Sequence, residues 1–219
     1  MNVLIIGGST DIGISLAKKL VDTSNEVIIT YNKHKVDIPY IDSYKCDIRY
    51  EDEIDKIIRM ANERFNNDYI LINMASISMD NSILNKTKNE MMSVLEVNLV
   101  GTFLCNQIYS RYNSLGLIVN ISSTAGVDTY SEYTIDYALS KNGIIKMSEI
   151  LSHYIDNKIL CICPNWILSD STKSINKEYL NSELLRIGQS RLILIDELVD
   201  SMISLIREGY DERDNKNSE

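Results

Sequence analysis

The chain has 219 residues, 44% of them hydrophobic and 24% charged, with a formal net charge of −9. That length suits one large α/β domain with a good core. The acidic balance argues against non-specific binding to nucleic acid or an anionic membrane, although a local pocket can still carry the opposite sign.

Met1–Asn2 leads straight into an apolar strand with no basic leader, and no apolar run approaches the roughly 18 residues of a membrane span. "NVLIIG" (2–7) reads as a short buried strand, and "IGISLAKKLVD" (12–22) has helical apolar spacing. "EVIITY" (26–31) and "SYKCD" (43–47) read as strands; "EDEIDKIIRMANERF" (51–65) sets Ile54, Ile57, Ile58 and Ala61 on one helical face. Next come a strand at 69–75, a long helix at 89–112, a strand at 116–122, a helix at 137–155, a strand at 158–164 and a last helix at 196–209. Apolar strands alternating with helices predict a doubly wound, Rossmann-type parallel sheet of six strands, helices on both faces and order 3-2-1-4-5-6. Residues 1–208 then form one domain, and the polar stretch 209–219 is expected to fray. The four cysteines, Cys46, Cys105, Cys161 and Cys163, have neither CxxC nor zinc spacing. Buried thiols, no metal site and a reducing cytoplasmic setting are expected.

In such a fold a ligand lies at the carboxyl ends of the strands, near the strand-order switch. After the first strand comes "GGSTDIG": Gly7 and Gly8 let backbone approach a ligand, Gly13 lets the helix pack closely, and Ser9 and Thr10 offer hydroxyls and N–H groups. This is where a helix N-terminus, opening at Ile12, would meet a pyrophosphate. Taken alone, glycines after a strand are equally an ordinary turn. Asp11 fits as N-cap of the helix, with its carboxylate turned away from any phosphate.

Downstream, "YALSK" places Tyr137 and Lys141 one turn apart on one helical face. "VNISSTAG" ends a strand with Ser122 and Ser123, and "NLVGTF" puts Asn98 within the long helix. With the glycine loop, an acidic residue after the third strand, "NMAS" and "PNWILS", this ordered set resembles the short-chain dehydrogenase/reductase family over nearly the whole chain. Within it, the sequence looks most like 3-oxoacyl-carrier-protein reductases.

The resemblance implies roles residue by residue. Tyr137 matches the catalytic tyrosine, and Lys141 the lysine that lowers its pKa and binds the nicotinamide ribose. Ser123 matches the serine that orients the carbonyl oxygen, with Ser122 as a weaker alternative, and Asn98 the asparagine of a proton-relay water. Gly7, Ser9, Thr10, Ile12 and Gly13 would form the pyrophosphate loop. Asp47 and Ile48 match the pair beside the adenine, and Asn73 and Ala75 the segment below the adenosine ribose. Pro164, Ile167 and Ser169 match the run beside the nicotinamide, where Ile167 backbone groups would hold the carboxamide. The chemistry needs these types: free tyrosine has a pKa near 10, a lysine cation favours the phenolate, and a serine hydroxyl supports a developing oxyanion.

At the end of the second strand, where an acid would select NAD, stands Tyr31, followed by Asn32, Lys33, His34 and Lys35. Asn32 and Lys33 suit a 2′-phosphate, so NADP(H) is favoured over NAD(H). The other reading is a solvated basic turn. Met74 and Ser76 turn the family's NNAG into NMAS, Asn165 replaces the glycine of PG, and the family's seventh strand is missing. Trp166 could wall the substrate pocket, as could Tyr133; His34, His153 and Arg191 read first as loop or structural residues. The expected activity is reduction of a ketone to a secondary alcohol, or the reverse. The substrate would be small or carrier-bound, led by a 3-oxoacyl thioester, in a homodimer formed through the two long helices, a tetramer being less certain. A non-catalytic dinucleotide sensor or scaffold is the alternative from another class.

Overall fold

The computed structural model describes residues 1–216 apart from Ser24, Thr129 and Ser174. Six parallel strands form one sheet in the order β3-β2-β1-β4-β5-β6. They are β1 (Val3–Ile6), β2 (Val27–Tyr31), β3 (Asp42–Lys45), β4 (Ile70–Asn73), β5 (Leu117–Ile121) and β6 (Lys158–Ile162). The helices are α1 (Asp11–Asp22), α2 (Glu51–Phe65), α3 (Lys88–Leu95), α4 (Thr102–Tyr112), α5 (Ile135–Tyr154), α6 (Asp170–Lys173), α7 (Lys177–Arg186) and α8 (Ile195–Lys216). The expected strand order is therefore observed, and among the described residues no strand follows α8.

The central strands are apolar because both their faces are covered. In β1, Val3 and Ile5 pack with Leu16 and Leu20 of α1 and Val199, Met202 and Ile206 of α8. Leu4 and Ile6 point the other way, into a layer with Ile54 and Ile58 of α2 and Tyr109 of α4. The edge strand β3 departs from this pattern. Only Ser43 of its four residues is even half-buried, which suits a strand paired on one side.

Helices α6 and α7 have no counterpart among the expected elements, and two expected elements differ locally. Residues 88–112 do form one helical run, but Glu96–Gly101 is a π-helical segment between α3 and α4. That run is long and apolar enough to cross a membrane by length and composition. Here Cys105, Ile108 and Tyr109 instead join the core around the sheet, and Asn98 and Asn106 are buried with them. At the end of the chain α8 continues to Lys216, through most of the stretch expected to fray. Tyr210 packs on the core, and Glu212 pairs with Lys158 of β6; residues 217–219 lie outside the described residues.

Candidate active site

The glycine loop is shaped by close packing. Gly7 has φ +78, and a Cβ there would lie 2.5 Å from the Ala75 Cα, so this position demands glycine. A Cβ on Gly13 would lie 2.7 Å from the Gly8 backbone, so helix and loop touch directly. Thr10, not Asp11, caps α1: its hydroxyl oxygen accepts the Gly13 N–H at 3.2 Å. Asp11 is the first helical residue, exposed, with its carboxylate toward Asp170 and Lys173 of α6. Threonine wins the cap because its extended backbone lets its side chain fold back over the first turn. The N–H groups of Asp11 and Ile12 have no intrahelical acceptor, and Ser9 lies beside them. A loop that admits no side chain at Gly7, Gly8 or Gly13, facing a helix N-terminus, fits a dinucleotide pyrophosphate.

At the other side of the strand-order switch, the loops after β5 and β6 are zipped together. Ser122 N–H donates to the Ile162 carbonyl at 2.8 Å and Thr124 N–H to the Pro164 carbonyl at 3.0 Å. This fixes Ser123 near α5. The two serines separate cleanly: Ser122 is buried and donates to the Lys141 carbonyl at 2.7 Å, while the Ser123 hydroxyl faces Tyr137.

Burial pushes the Tyr137 phenol above its ordinary value of 10, and the hydroxyls of Ser123 and Ser76 pull it back. Lys141 is 2% exposed, donates from Nζ to the Ile121 carbonyl at 3.0 Å, and sits 5.4 Å from the Tyr137 ring centroid. Desolvation drops its ammonium from 10.5 to about 8, with a small opposing effect of Cys161 and Cys163. Loss of water is the largest influence on both groups, and the hydroxyls of Ser123 and Ser76, not the expected Lys141, are what pull the phenol back. Asn98 lies in the π segment, fully buried. Its side chain holds the Ile77 N–H at 2.8 Å and the Ile77 carbonyl at 2.9 Å, and donates to Ser140 Oγ at 3.0 Å. Ser140 donates in turn to the Tyr137 carbonyl at 2.7 Å.

Other candidate residues divide. Ala75 lies against Gly7. Asn73, expected under a ribose, turns its side chain into the core, donating to Asn106 at 2.7 Å and Asn120 at 2.9 Å. Ile48 is likewise a core residue, packed on Gly101. Asp47 is gripped by Arg49, whose Nη2 lies 2.5 Å from its carboxylate and holds it below the usual carboxylate range. Asn32 and Lys33 are exposed at the end of β2, and Asn32 also interacts with Asp47. The Ile167 carbonyl accepts from the Thr172 hydroxyl at 2.7 Å and the Ser169 N–H at 3.1 Å, so only its N–H suits a carboxamide. Pro164 carries the junction to the β5 loop, and Ser169 opens α6.

Trp166 is half-buried, and its backbone is clamped by the Gln189 amide, which donates to its carbonyl at 2.8 Å. A cavity of about 450 Å³ beside the start of α5 is lined by Ala125, Tyr130, Ile135 and Asn142, but by neither Tyr137 nor Trp166. Tyr133 is exposed and outside that lining. Arg191 pairs with Glu197, as a structural residue would.

Sequence reasoning noted Ser76 only as a departure from the family pattern and did not find Thr172 or the buried pair Lys86–Asp136. Lys86 Nζ lies 3.0 Å from Asp136 Oδ2, both side chains almost wholly buried, and Asp136 Oδ1 accepts the Tyr137 N–H at 2.9 Å. The thiols also differ from expectation: Cys46 and Cys105 are buried, but Cys161 and Cys163 are only half so. All four are free.

A doubly wound sheet with a glycine loop at one side of the switch and a Ser–Tyr–Lys group at the other defines a nucleotide-dependent oxidoreductase. The sequence profile of the short chain dehydrogenase family matches residues 1–180, and the chain belongs to that family. It is an NAD(P)-dependent oxidoreductase. It is 24% identical over 192 residues to a 3-oxoacyl-[acyl-carrier-protein] reductase of Synechocystis sp., covering 80% of this chain and 77% of that one. Carbonyl reductase family member 4 of Xenopus laevis is 27% identical over 220 residues, with 94% and 91% covered. Among solved structures, a short-chain dehydrogenase/reductase from Serratia marcescens superposes with a TM-score of 0.83 at 20% identity, covering 95% of this chain and 92% of its own. A variant of actinorhodin polyketide ketoreductase solved with NADPH gives 0.80 at 20% identity, covering 94% and 89%.

Proposed function

We propose that the protein reduces a ketone to a secondary alcohol with NADPH, and that a 3-oxoacyl thioester is its leading substrate. One observation carries the reading. The Tyr137 hydroxyl is held beside the Ser123 hydroxyl, with the Lys141 ammonium against the phenol ring, at the carboxyl end of the sheet. The phenol is protonated near neutrality, as a proton donor must be, and the hydroxyls of Ser123 and Ser76 counter the rise that burial causes. Ser123 hydrogen-bonds the oxygen that gains charge, and Tyr137 delivers its proton there. The bound nicotinamide supplies the hydride; Gly7, Ser9, Thr10, Ile12 and Gly13 would hold its pyrophosphate and Lys141 its ribose.

Exposed Lys33 beside Asn32, in place of an acid at the end of β2, supports the 2′-phosphate and hence NADPH. The printed names of the Synechocystis and Xenopus relatives support carbonyl substrates, carrier-bound or free. Exposed apolar side chains on the long helices, among them Val100, Phe103, Leu139 and Ile150, support a homodimer through those helices. Four free thiols suit a cytoplasmic setting.

The test follows NADPH oxidation with a panel of 3-oxoacyl thioesters and small ketones. Tyr137→Phe should lower turnover at least about 100-fold while leaving NADPH binding, read by its fluorescence, largely intact. NADPH binding without reduction of any carbonyl would favour a sensor instead, and tighter binding of NADH would refute the cofactor assignment.

A further inference from the structure

The loop that leaves β4 carries a serine for which the fold itself has no use. Ser76 follows Ala75, at the position where the family pattern has glycine. Its backbone is not in the left-handed region, so nothing local demands either residue. Its Oγ is shut off from solvent and meets no hydrogen-bond partner within the ordinary distance and angle limits. A buried hydroxyl left unbonded is costly.

Its surroundings point to a purpose. Ile77, the next residue, is gripped on both its N–H and its carbonyl by Asn98. Asn98 is tied to Ser140, and Ser140 to the Tyr137 carbonyl. This chain of bonds fixes Ser76 relative to Tyr137. The Ser76 hydroxyl faces the phenol oxygen together with that of Ser123. Lys141 Nζ spends one of its three N–H groups on the Ile121 carbonyl, and the Ser123 oxygen accepts the Ala125 N–H at 3.1 Å while its own O–H is turned to the substrate oxygen in the proposed reaction. A phenolate formed at Tyr137 gains from each further donor, and a hydroxyl with no other bond is suited to be one.

We propose that Ser76 is a third hydroxyl of the proton-donating group, giving a hydrogen bond to the Tyr137 oxygen as that oxygen loses its proton. The inference rests on the reading of Tyr137 as proton donor. The proton passes from the Tyr137 O–H to the substrate oxygen. Ser76 keeps its own proton and stabilises the phenolate left behind, which returns to phenol by taking a proton from solvent.

The experiment reads this contact without turnover. The full-length protein is grown with 3-fluorotyrosine, and the Tyr137 signal is assigned in the 19F NMR spectrum by its loss in Tyr137→Phe. Ser76→Ala should move the Tyr137 titration midpoint up by about half to one pH unit, the size expected of one hydrogen bond to the charged form. Ser76→Thr, which keeps a hydroxyl, should leave the midpoint near the wild-type value. If Ser76→Ala does not fold, Ser76→Gly is titrated in its place. A folded alanine or glycine variant whose Tyr137 titrates with the wild type would overturn the proposal. Failure of the wild type to reduce any ketone would remove the catalytic reading and leave the titration to decide the contact. Where the wild type is active, Ser76→Ala should lower kcat about 3- to 10-fold with NADPH affinity unchanged.

Discussion

Lys141→Met is expected to abolish turnover and yet stabilise the fold. Lys141 is 2% exposed, and its ammonium binds a proton with a pKa of about 8 instead of 10.5. At about 1.4 kcal/mol for each tenfold loss of proton affinity, holding that cation in the folded protein costs roughly 3 kcal/mol near neutrality. Methionine fills similar space without charge, and what is lost is the 3.0 Å bond to the Ile121 carbonyl, about 1 kcal/mol. The net gain is about 2 kcal/mol, or roughly 4–8 °C in Tm for a chain of this length. The pH dependence gives a second check. The folded-state value lies below the unfolded one, so between about pH 8 and 10.5 the unfolded chain binds more protons and wild-type stability rises with pH. Urea unfolding of both proteins at about pH 7 and about pH 9.5 should therefore show the variant's advantage shrinking at the higher pH. A variant no more stable than wild type at neutrality, or an advantage independent of pH, would refute the assignment of Lys141 as a desolvated cation.

Three further outcomes are expected. Lys86→Met strands the buried Asp136 carboxylate and should cost about 3–5 kcal/mol in urea unfolding, most of it recovered in Lys86→Met/Asp136→Asn; equal losses in both would mean that the charge pairing is immaterial. Gly7→Ala forces a side chain onto a residue at φ +78 with a Cβ 2.5 Å from Ala75, and it should weaken NADPH binding at least about tenfold by moving the loop. Cys163 is drawn down to about 7, first by the Cys161 thiol and then by Ser122, against the effect of burial. Its alkylation by iodoacetamide should titrate near that pH and shift upward in Cys161→Ala, with buried Cys46 and Cys105 reacting only on unfolding.

The sheet was legible because its strands are short apolar blocks separated by helices of clear periodicity, and Tyr137 and Lys141 because their spacing survives as one face of α5. What escaped depended on side-chain direction. Asn73 sits at the predicted place at the end of β4, yet alternation along the strand turns its amide inward, toward Asn106 and Asn120. Thr10 and Asp11 are both acceptable caps by residue type, and only backbone geometry separates them. Lys86 and Asp136 lie fifty residues apart and become partners only once the β4 loop folds over α5. Polarity marked the last residues as frayed, but Tyr210 and Glu212 anchor the helix on one side.

The π segment at Glu96–Gly101 has a consequence for how the chain can change. A π turn holds one residue more than the α turn it interrupts, so α3 and α4 are read in two different phases along one continuous rod. Asn98 owes its place opposite Ile77 to that offset, and Gly101 its seat against Ile48. Losing one residue here would restore an unbroken α-helix and rotate one half against the other by roughly 100°. Either the core contacts of Cys105 and Tyr109 or the grip of Asn98 on the β4 loop would have to be given up. This segment therefore tolerates substitution far better than a change of length.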